Sequence, residues 1–411
     1  MTPRAPERPA AGPIPLQPLA WQALARAVAS GSVPPASLFV GPAGIGKVEA
    51  ALAMARLLNC ESIEAAGAQK PGASASGASF ATPCNTCRSC RRMLEGNHPN
   101  LRLIYPVPAP AAGRTDERQA EDLEEALAEV LTARRAAKLF AFDPDRLWPG
   151  KKVSIQIDRI RMLKRELSYS LSEGRARVVV LAEAHTLTPE AANAALKILE
   201  EPGANTHWVL TTSRPHRILP TVRSRCSAIE FEPVELEPMA KLLAERLDSE
   251  PAVARAAAAL SQGSPAAAVG LLAMGGGLLA DRDAALELWK LAQTGQWDRV
   301  HRTVDGLRFR CYRDRGLVGR ILRFWLLWVR DLLQVKGGLP EAGVANQDKL
   351  EGLRKAAAQV GWETLSSRYA VIADCLAAEG LNVAPEVLLY SALTRLAEAQ
   401  ARFRPASRPA S

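Results

Sequence analysis

Apolar and polar positions change period several times along the chain. Leu19, Ala23, Leu24 and Val28 recur at helical spacing and predict a short helix over 16–29. Leu38-Phe39-Val40 is an unbroken apolar run, the pattern of a buried strand. It passes directly into Gly41-Pro42-Ala43-Gly44-Ile45-Gly46-Lys47 and then an Ala/Leu-rich helix ending near Leu58. Residues 61–83 are a low-complexity Ala/Gly/Ser stretch that reads as a flexible insertion. Leu101–Val107 predicts another strand. Leu123, Leu127, Val130 and Leu131, set among charges, predict an amphipathic, solvent-facing helix over 116–139, with a stripe cut short by Arg134. Ile157, Ile160, Leu163 and Leu167 sketch a further helix.

Arg177–Leu181 (RVVVL) is near-continuous and β-branched, as expected of a strand buried on both faces. Thr188 is placed to cap, and Pro189 to open, a helix with Ala192, Ala195, Leu196 and Leu199 on one face, ended by Pro202-Gly203. His207–Thr212 predicts the next strand. Alternating strands and helices argue for a parallel α/β sheet. Beyond Pro233 the strand signals stop: 236–275 read as small helices, and 279–404 as helices with Gly or Pro breaks. The ends, 1–13 and 405–411, read as tails.

Composition sharpens this picture. In 411 residues, 48% apolar content allows a large core, while only 5% aromatics and abundant alanine favour helices over a β-sandwich. The length suggests two or three domains. The formal charge of +9 permits a nucleic-acid partner without requiring one. The Pro-rich start has no apolar signal segment. The most apolar run, Ile321–Leu333, is too short to span a bilayer and carries Arg323, Arg330 and Asp331. The chain therefore reads as cytoplasmic with no membrane partner, and its seven cysteines are not a disulfide framework.

The loop Gly41-x-x-x-x-Gly46-Lys47 has phosphate-loop spacing between a strand and a helix. Its amides could cradle phosphate, with Lys47 reaching the terminal oxygens. Two metal-positioning groups are missing. Val48 stands where a Ser or Thr hydroxyl would hold Mg²⁺, and the strand Val178–Leu181 ends in Ala182, then Glu183, where a metal-binding acid belongs. No functional Mg²⁺ site is expected. Two readings of the retained Gly41, Gly44, Gly46 and Lys47 stand: residual ATP or ADP binding, or a tight turn that needs glycine in any case.

Cys84-x-x-Cys87-x-x-Cys90 sets three thiols within seven residues, and Cys60, at the end of the phosphate-loop helix, can supply a fourth. Four thiolates suit a closed, tetrahedral structural Zn²⁺ site. An iron–sulfur cluster is the competing chemistry, and unliganded loop cysteines the bland one. Cys226, Cys311 and Cys375 lie apart; the last two read as small buried residues.

After HWVLTT come Ser213-Arg214-Pro215 and Ile218-Leu219-Pro220-Thr221-Val222-Arg223-Ser224-Arg225-Cys226. With LFVGPAGIGK, the four cysteines, HPNLRLIYPV, IQIDRIRMLKRELSYS and EAHTLTPEAANAALKILEEP, this order resembles the δ′ family of bacterial DNA polymerase III clamp-loader subunits, within the AAA+ family, over most of 16–233. The resemblance implies an AAA+ nucleotide-fold domain over 14–233, with a zinc module at 60–97 and a helical insertion at 108–150. A small helical lid over 234–276 and a helical collar over 277–404 would follow. It implies that Arg225 is an arginine finger acting in trans on ATP held by a neighbour, and that Thr212 and Ser213 occupy the sensor-1 place. Implied partners are the γ/τ and δ clamp-loader subunits, with the sliding clamp and primer–template DNA reached through the complex. The segment Gln262–Ala268 resembles the start of a sensor-2 element, but no arginine follows it. The resulting expectation is a non-hydrolysing stator. An active γ/τ-type ATPase and a free-standing zinc-containing DNA-binding protein are the alternatives.

Overall fold

A computed structural model of the chain describes residues 16–62, 82–109, 116–136, 147–148, 151–167, 175–273, 277–314, 316–379 and 383–402. The tails and most of the low-complexity stretch lie outside them. Seven strands are described: β1 (Ala36–Val40), β2 (Leu101–Ile104), β3 (Val107–Pro108), β4 (Val153–Ser154), β5 (Arg177–Leu181), β6 (Thr206–Thr212) and β7 (Ser227–Glu230). Five form one all-parallel sheet in the order β2-β5-β6-β1-β7. The helices among them are α1 (Pro18–Ala29), α2 (Lys47–Asn59), α3 (Arg88–Glu95), α4 (Asp116–Ala136), α5 (Ile157–Leu167), α6 (Pro189–Glu200) and the short α7 (Pro220–Arg223).

The central strands β1, β5 and β6 are covered on both faces, which is why they carry near-continuous apolar runs, whereas the edge strands β2 and β7 carry Arg102 and Glu230. Successive side chains point to opposite sides. Phe39, Val178, Val180 and Val209 pack with Trp21 and Leu24 of α1, Met54 of α2 and Met93 of α3. Leu38, Val179, Leu181, Trp208 and Leu210 pack with Ile160 of α5 and Ala195 and Leu199 of α6. Thr188 caps α6 as predicted, its hydroxyl accepting the Ala191 amide at 3.2 Å with Pro189 in the first turn.

The predicted strand over Leu101–Val107 divides. The main ladder stops at Ile104 opposite Leu181, and Val107–Pro108 pairs antiparallel with β4 in a separate ribbon. Pro106 and Pro108 have no N–H to donate, so the run does not continue as one strand of the parallel ladder.

The chain separates into two compact units. The first runs to Val234 and takes in Ser264–Ala267; the second holds Glu235–Gly263 and the chain from Ala268 on. After Glu230 the described elements are all helices: α8 (Leu236–Leu247), α9 (Pro251–Leu260), α10 (Pro265–Ala273), α11 (Leu278–Gln293), α12 (Trp297–Arg313), α13 (Leu317–Lys336), α14 (Leu350–Gln359), α15 (Trp362–Glu379) and α16 (Pro385–Arg402), with short 3-10 turns between α13 and α14. None of the described helices is long and apolar enough to cross a membrane. Asp331, which interrupts the most apolar run of the sequence, is fully buried in α13. Its carboxylate accepts from the Ala345 and Asn346 amides at 3.0 and 2.9 Å, so a buried charge pins the loop after α13. Cys311 and Cys375 are buried, as expected.

Candidate functional site

The glycine loop leaves β1 and enters α2 at the carboxyl end of the sheet, where ligands of open α/β folds bind. The turn itself demands its glycines. Gly44 and Gly46 have φ of +69° and +98°, in the left-handed region. At Gly41 a Cβ would overlap the Phe231 carbonyl oxygen. Retention of these three residues therefore follows from the turn alone, whatever it binds.

Lys47 does not point into an open cradle. It is only 3% exposed, and its Nζ donates to the carbonyls of Gly41 and Pro42 at 2.8 and 2.6 Å. Glu183 Oε1 lies 3.7 Å from the same ammonium. Burial pushes the Lys47 pKa down, with Glu183 opposing the shift. Glu183, at φ +47°, turns sharply off the end of β5. Its Oε2 accepts from the Ser213 amide at 3.1 Å and the Ser213 hydroxyl at 2.8 Å, with His185 Nδ1 at 3.3 Å. His185 Nδ1 also lies 3.2 Å from Thr212 Oγ1. Thr212, Ser213, His185 and the strand-end glutamate are thus linked to one another and, through Glu183, to the loop lysine.

The metal side of the loop is apolar core. Ala182, 2% exposed, packs with Tyr105, Val107, Val130 and Trp148, and Val48, Leu123 and Leu127 join the same cluster. The apolar stripe of α4 forms part of this cover. α4 is amphipathic as expected, with Glu121, Glu124, Glu125 and Glu129 exposed, while Val130 on the apolar stripe is fully buried and Trp148 donates its indole N–H to Glu129 at 3.1 Å. From sequence alone, a Thr at 48 and an Asp at 182 together are expected to restore metal–nucleotide binding but not turnover, since no arginine follows Gln262–Ala268. The packing instead places such a carboxylate in an apolar cluster.

Ser264–Ala267 close the loop's outer side. The Ala266 amide donates to the Gly44 carbonyl at 3.1 Å, and a Cβ at Gly44 would sit 2.6 Å from Ser264 Oγ and 2.7 Å from the Ala266 methyl.

Cys60, Cys84, Cys87 and Cys90 come together as the spacing predicts, with their sulfurs all within 4.8 Å of one another. Four thiolates around Zn²⁺ at about 2.3 Å would lie ~3.8 Å apart, so small rotations close the set. Backbone amides already serve the sulfurs: those of Thr86 and Cys87 donate to Cys84 Sγ at 3.4 and 3.3 Å, and that of Cys90 to Cys87 Sγ at 3.4 Å. Burial opposes ionisation of Cys84, but the hydrogen bonds from Thr86, Cys87 and Ser62 outweigh it and bring the thiol to about 5. Burial pushes Cys60 and Cys90 up. A second layer braces the module. Glu61 accepts the Ser89 amide at 3.1 Å, Ser89 Oγ meets His98 Nε2 at 3.2 Å, and His98 Nδ1 accepts the Asn100 amide at 3.1 Å. The donor set fits zinc.

Arg225 lies just beyond α7, apart from both sites, with its side chain exposed. Its Nε donates to Glu200 Oε1 at 2.6 Å, its Nη2 also meets that oxygen, and its Nη1 donates to the Thr221 carbonyl at 2.8 Å. Cys226, half-buried, packs against the core beneath, and burial pushes its thiol up to about 11.

Sequence reasoning did not find the Glu183 network, the apolar cover or the Glu200 partner. The signal for the cover was present: the Leu123/Leu127/Val130 stripe had no assigned partner, and Val48 and Ala182 were apolar where polar groups were sought.

The family model described as "DNA polymerase III, delta subunit" matches residues 16–235. The chain is 28% identical over 240 residues to DNA polymerase III subunit delta' of Bacillus subtilis, covering 58% of this chain and 54% of that protein. It is 27% identical over 405 residues to DNA polymerase III subunit gamma/tau of Mycobacterium bovis, covering 91% of this chain and 58% of that one. The chain thus spans little more than half the length of these relatives. The crystal structure of a gamma subunit-related protein from Thermotoga maritima is similar at 15% identity and a TM-score of 0.37, covering 92% of this chain and 99% of that one.

Proposed function

The chain belongs to the DNA polymerase III delta-subunit family, and from that membership we propose that it is the δ′-type, non-hydrolysing stator of a bacterial clamp loader. In this reading it works in the cytoplasm within a ring containing γ/τ and δ subunits, which places the sliding clamp on primer–template DNA. Its AAA+ domain spans 14–233, its lid 234–276 and its collar 277–404. Zinc held by Cys60, Cys84, Cys87 and Cys90 would stabilise the fold around the end of α2 and take no part in turnover.

One observation carries the proposal: both metal-ligand positions, Val48 and Ala182, belong to a single apolar cluster. Phosphoryl transfer needs a cation to neutralise charge developing on the terminal phosphate. No hydroxyl at 48 or carboxylate at 182 can hold one. An arriving nucleotide would also have to take Lys47 from two carbonyls, beside the Glu183 carboxylate. The useful cation for ATP chemistry then lies elsewhere, in Arg225, whose planar guanidinium suits a transferring phosphoryl group bound by the next subunit.

The test is ATP turnover by the purified chain, alone and in a reconstituted loader. The chain alone should hydrolyse ATP no faster than buffer, and Lys47→Ala should change nothing. In the loader, Arg225→Ala should preserve assembly and lower DNA-stimulated hydrolysis. Arginine fingers contribute on the order of 10³-fold at one site, less in a total summed over several. Turnover by the chain alone that disappears in Lys47→Ala would support the γ/τ-type ATPase instead. That second reading draws on the gamma/tau relative's match across 91% of this chain.

A further inference from the structure

We propose that Glu200 is the positioning residue for Arg225, holding the guanidinium so that its two remaining donors face outward; this rests on the finger reading above. A guanidinium has five N–H donors. Three are used within the chain, one on Nε and one on Nη2 by Glu200 and one on Nη1 by the Thr221 carbonyl. One donor is left on each terminal nitrogen, the pair that can fork onto two oxygens of a phosphate.

Both partners are anchored to packed elements. Glu200 is the last residue of α6, directly after the buried Ile198 and Leu199. Arg225 follows α7, whose Val222 is 1% exposed and packs in the same core cluster as Ile198 and Leu199. The Arg225 amide is itself tied to the Val222 carbonyl at 3.2 Å. A long, exposed arginine would otherwise sample many rotamers and lose that freedom on engaging ATP. Holding it beforehand removes much of that loss at the moment of reaction.

Glu200 also runs against local preference. An acid at the carboxyl end of a helix is disfavoured by the helix dipole, and Glu201 follows it at the cap. Such conflicts between local and global fit gather at functional positions. The pair does little for stability, because both partners are exposed and screened. Its consequence is therefore directional. Gln at 200 keeps an acceptor oxygen at the same reach, whereas Asp is one methylene too short.

The experiment uses the whole chain reconstituted with its partner subunits and reads single-turnover ATP hydrolysis on primed DNA. Glu200→Ala should assemble normally and slow the arginine-dependent phase by about tenfold to a hundredfold, the effect of a small misplacement. Glu200→Gln should stay within about threefold of the unmodified loader, and Glu200→Asp should behave as the Ala variant. Glu200→Ala added to Arg225→Ala should cause no further loss. An unaltered rate in Glu200→Ala, beside a strong loss in Arg225→Ala, would overturn the positioning role and leave the finger intact. Equal losses in Ala and Gln that add to that of Arg225→Ala would also overturn it, as a purely structural effect. A silent Arg225→Ala would remove the finger reading and this inference together.

Discussion

The two places in this chain where a metal ion would be sought are built in opposite ways. At the cysteine module all four ligands are present, their sulfurs already accept backbone amides, and Glu61, Ser89 and His98 brace the loop that carries them. At the glycine loop the two metal-ligand positions carry Val48 and Ala182, covered by α4 and Trp148, and the remaining charges answer one another through Lys47, Glu183 and Ser213. At the glycine loop both positions are part of an apolar cluster, and the neighbouring charges find partners inside the protein. A metal site there would need the packing and the network undone together.

The largest test of this contrast is at the cysteines. Cys87→Ser should abolish stoichiometric zinc, read by metal analysis of the purified protein. Hydrogen exchange should rise over 82–96, because structural zinc contributes on the order of 10 kcal/mol to such modules. Protection of β1, β5 and β6 should persist. Stoichiometric iron and sulfide in the unmodified protein would break the zinc assignment.

Next comes Ala182→Asp, alone or with Val48→Thr. A carboxylate entering the Tyr105/Val130/Trp148 cluster should lower unfolding stability by about 3 kcal/mol. The double variant should gain no Mg²⁺-dependent nucleotide affinity in a fluorescent-ADP titration. Tight Mg²⁺–ADP binding by a stably folded double variant would show that ligand identity alone had closed the site.

The smallest effect is a pH dependence. Burial depresses the folded-state pKa of Lys47 below the ordinary 10.5, so the unfolded chain binds that proton more tightly. The charged lysine therefore weakens the fold below its folded pKa. Stability recovers as pH rises through that value toward 10.5. Urea midpoints should carry an alkaline-rising component that is absent in Lys47→Met and indifferent to chelator. The same component surviving in Lys47→Met would assign it to another group.

Local signals explain how far the sequence could be read. The apolar runs of β1 and β5, the Thr188-Pro189 helix start and the Cys84-x-x-Cys87-x-x-Cys90 spacing act over a few residues, so composition and period reveal them. The gap at 48 and 182 was legible for the same reason, since a ligand position is defined by its distance from a glycine loop or a strand end. The Leu101–Val107 run misled because its apolar character outlasted its ability to donate hydrogen bonds.

By itself, then, the sequence determined a parallel α/β unit followed by helices, a four-thiol module, a glycine turn with Val48 and Ala182 at its metal-ligand positions, and Arg225 within Ser224-Arg225-Cys226. Only the tertiary structure decided what each of these faces. Glu183 reaches Lys47 and Ser213, Glu200 reaches Arg225, and Val48 meets Ala182 under Val130 and Trp148. Those partners stand tens to more than a hundred residues apart. With 43 acidic and 52 basic residues, many pairings have the same chemistry. Strand order and helix packing select among them, because a hydrogen bond or an apolar contact acts over only a few ångströms and forms where the fold brings the two groups together.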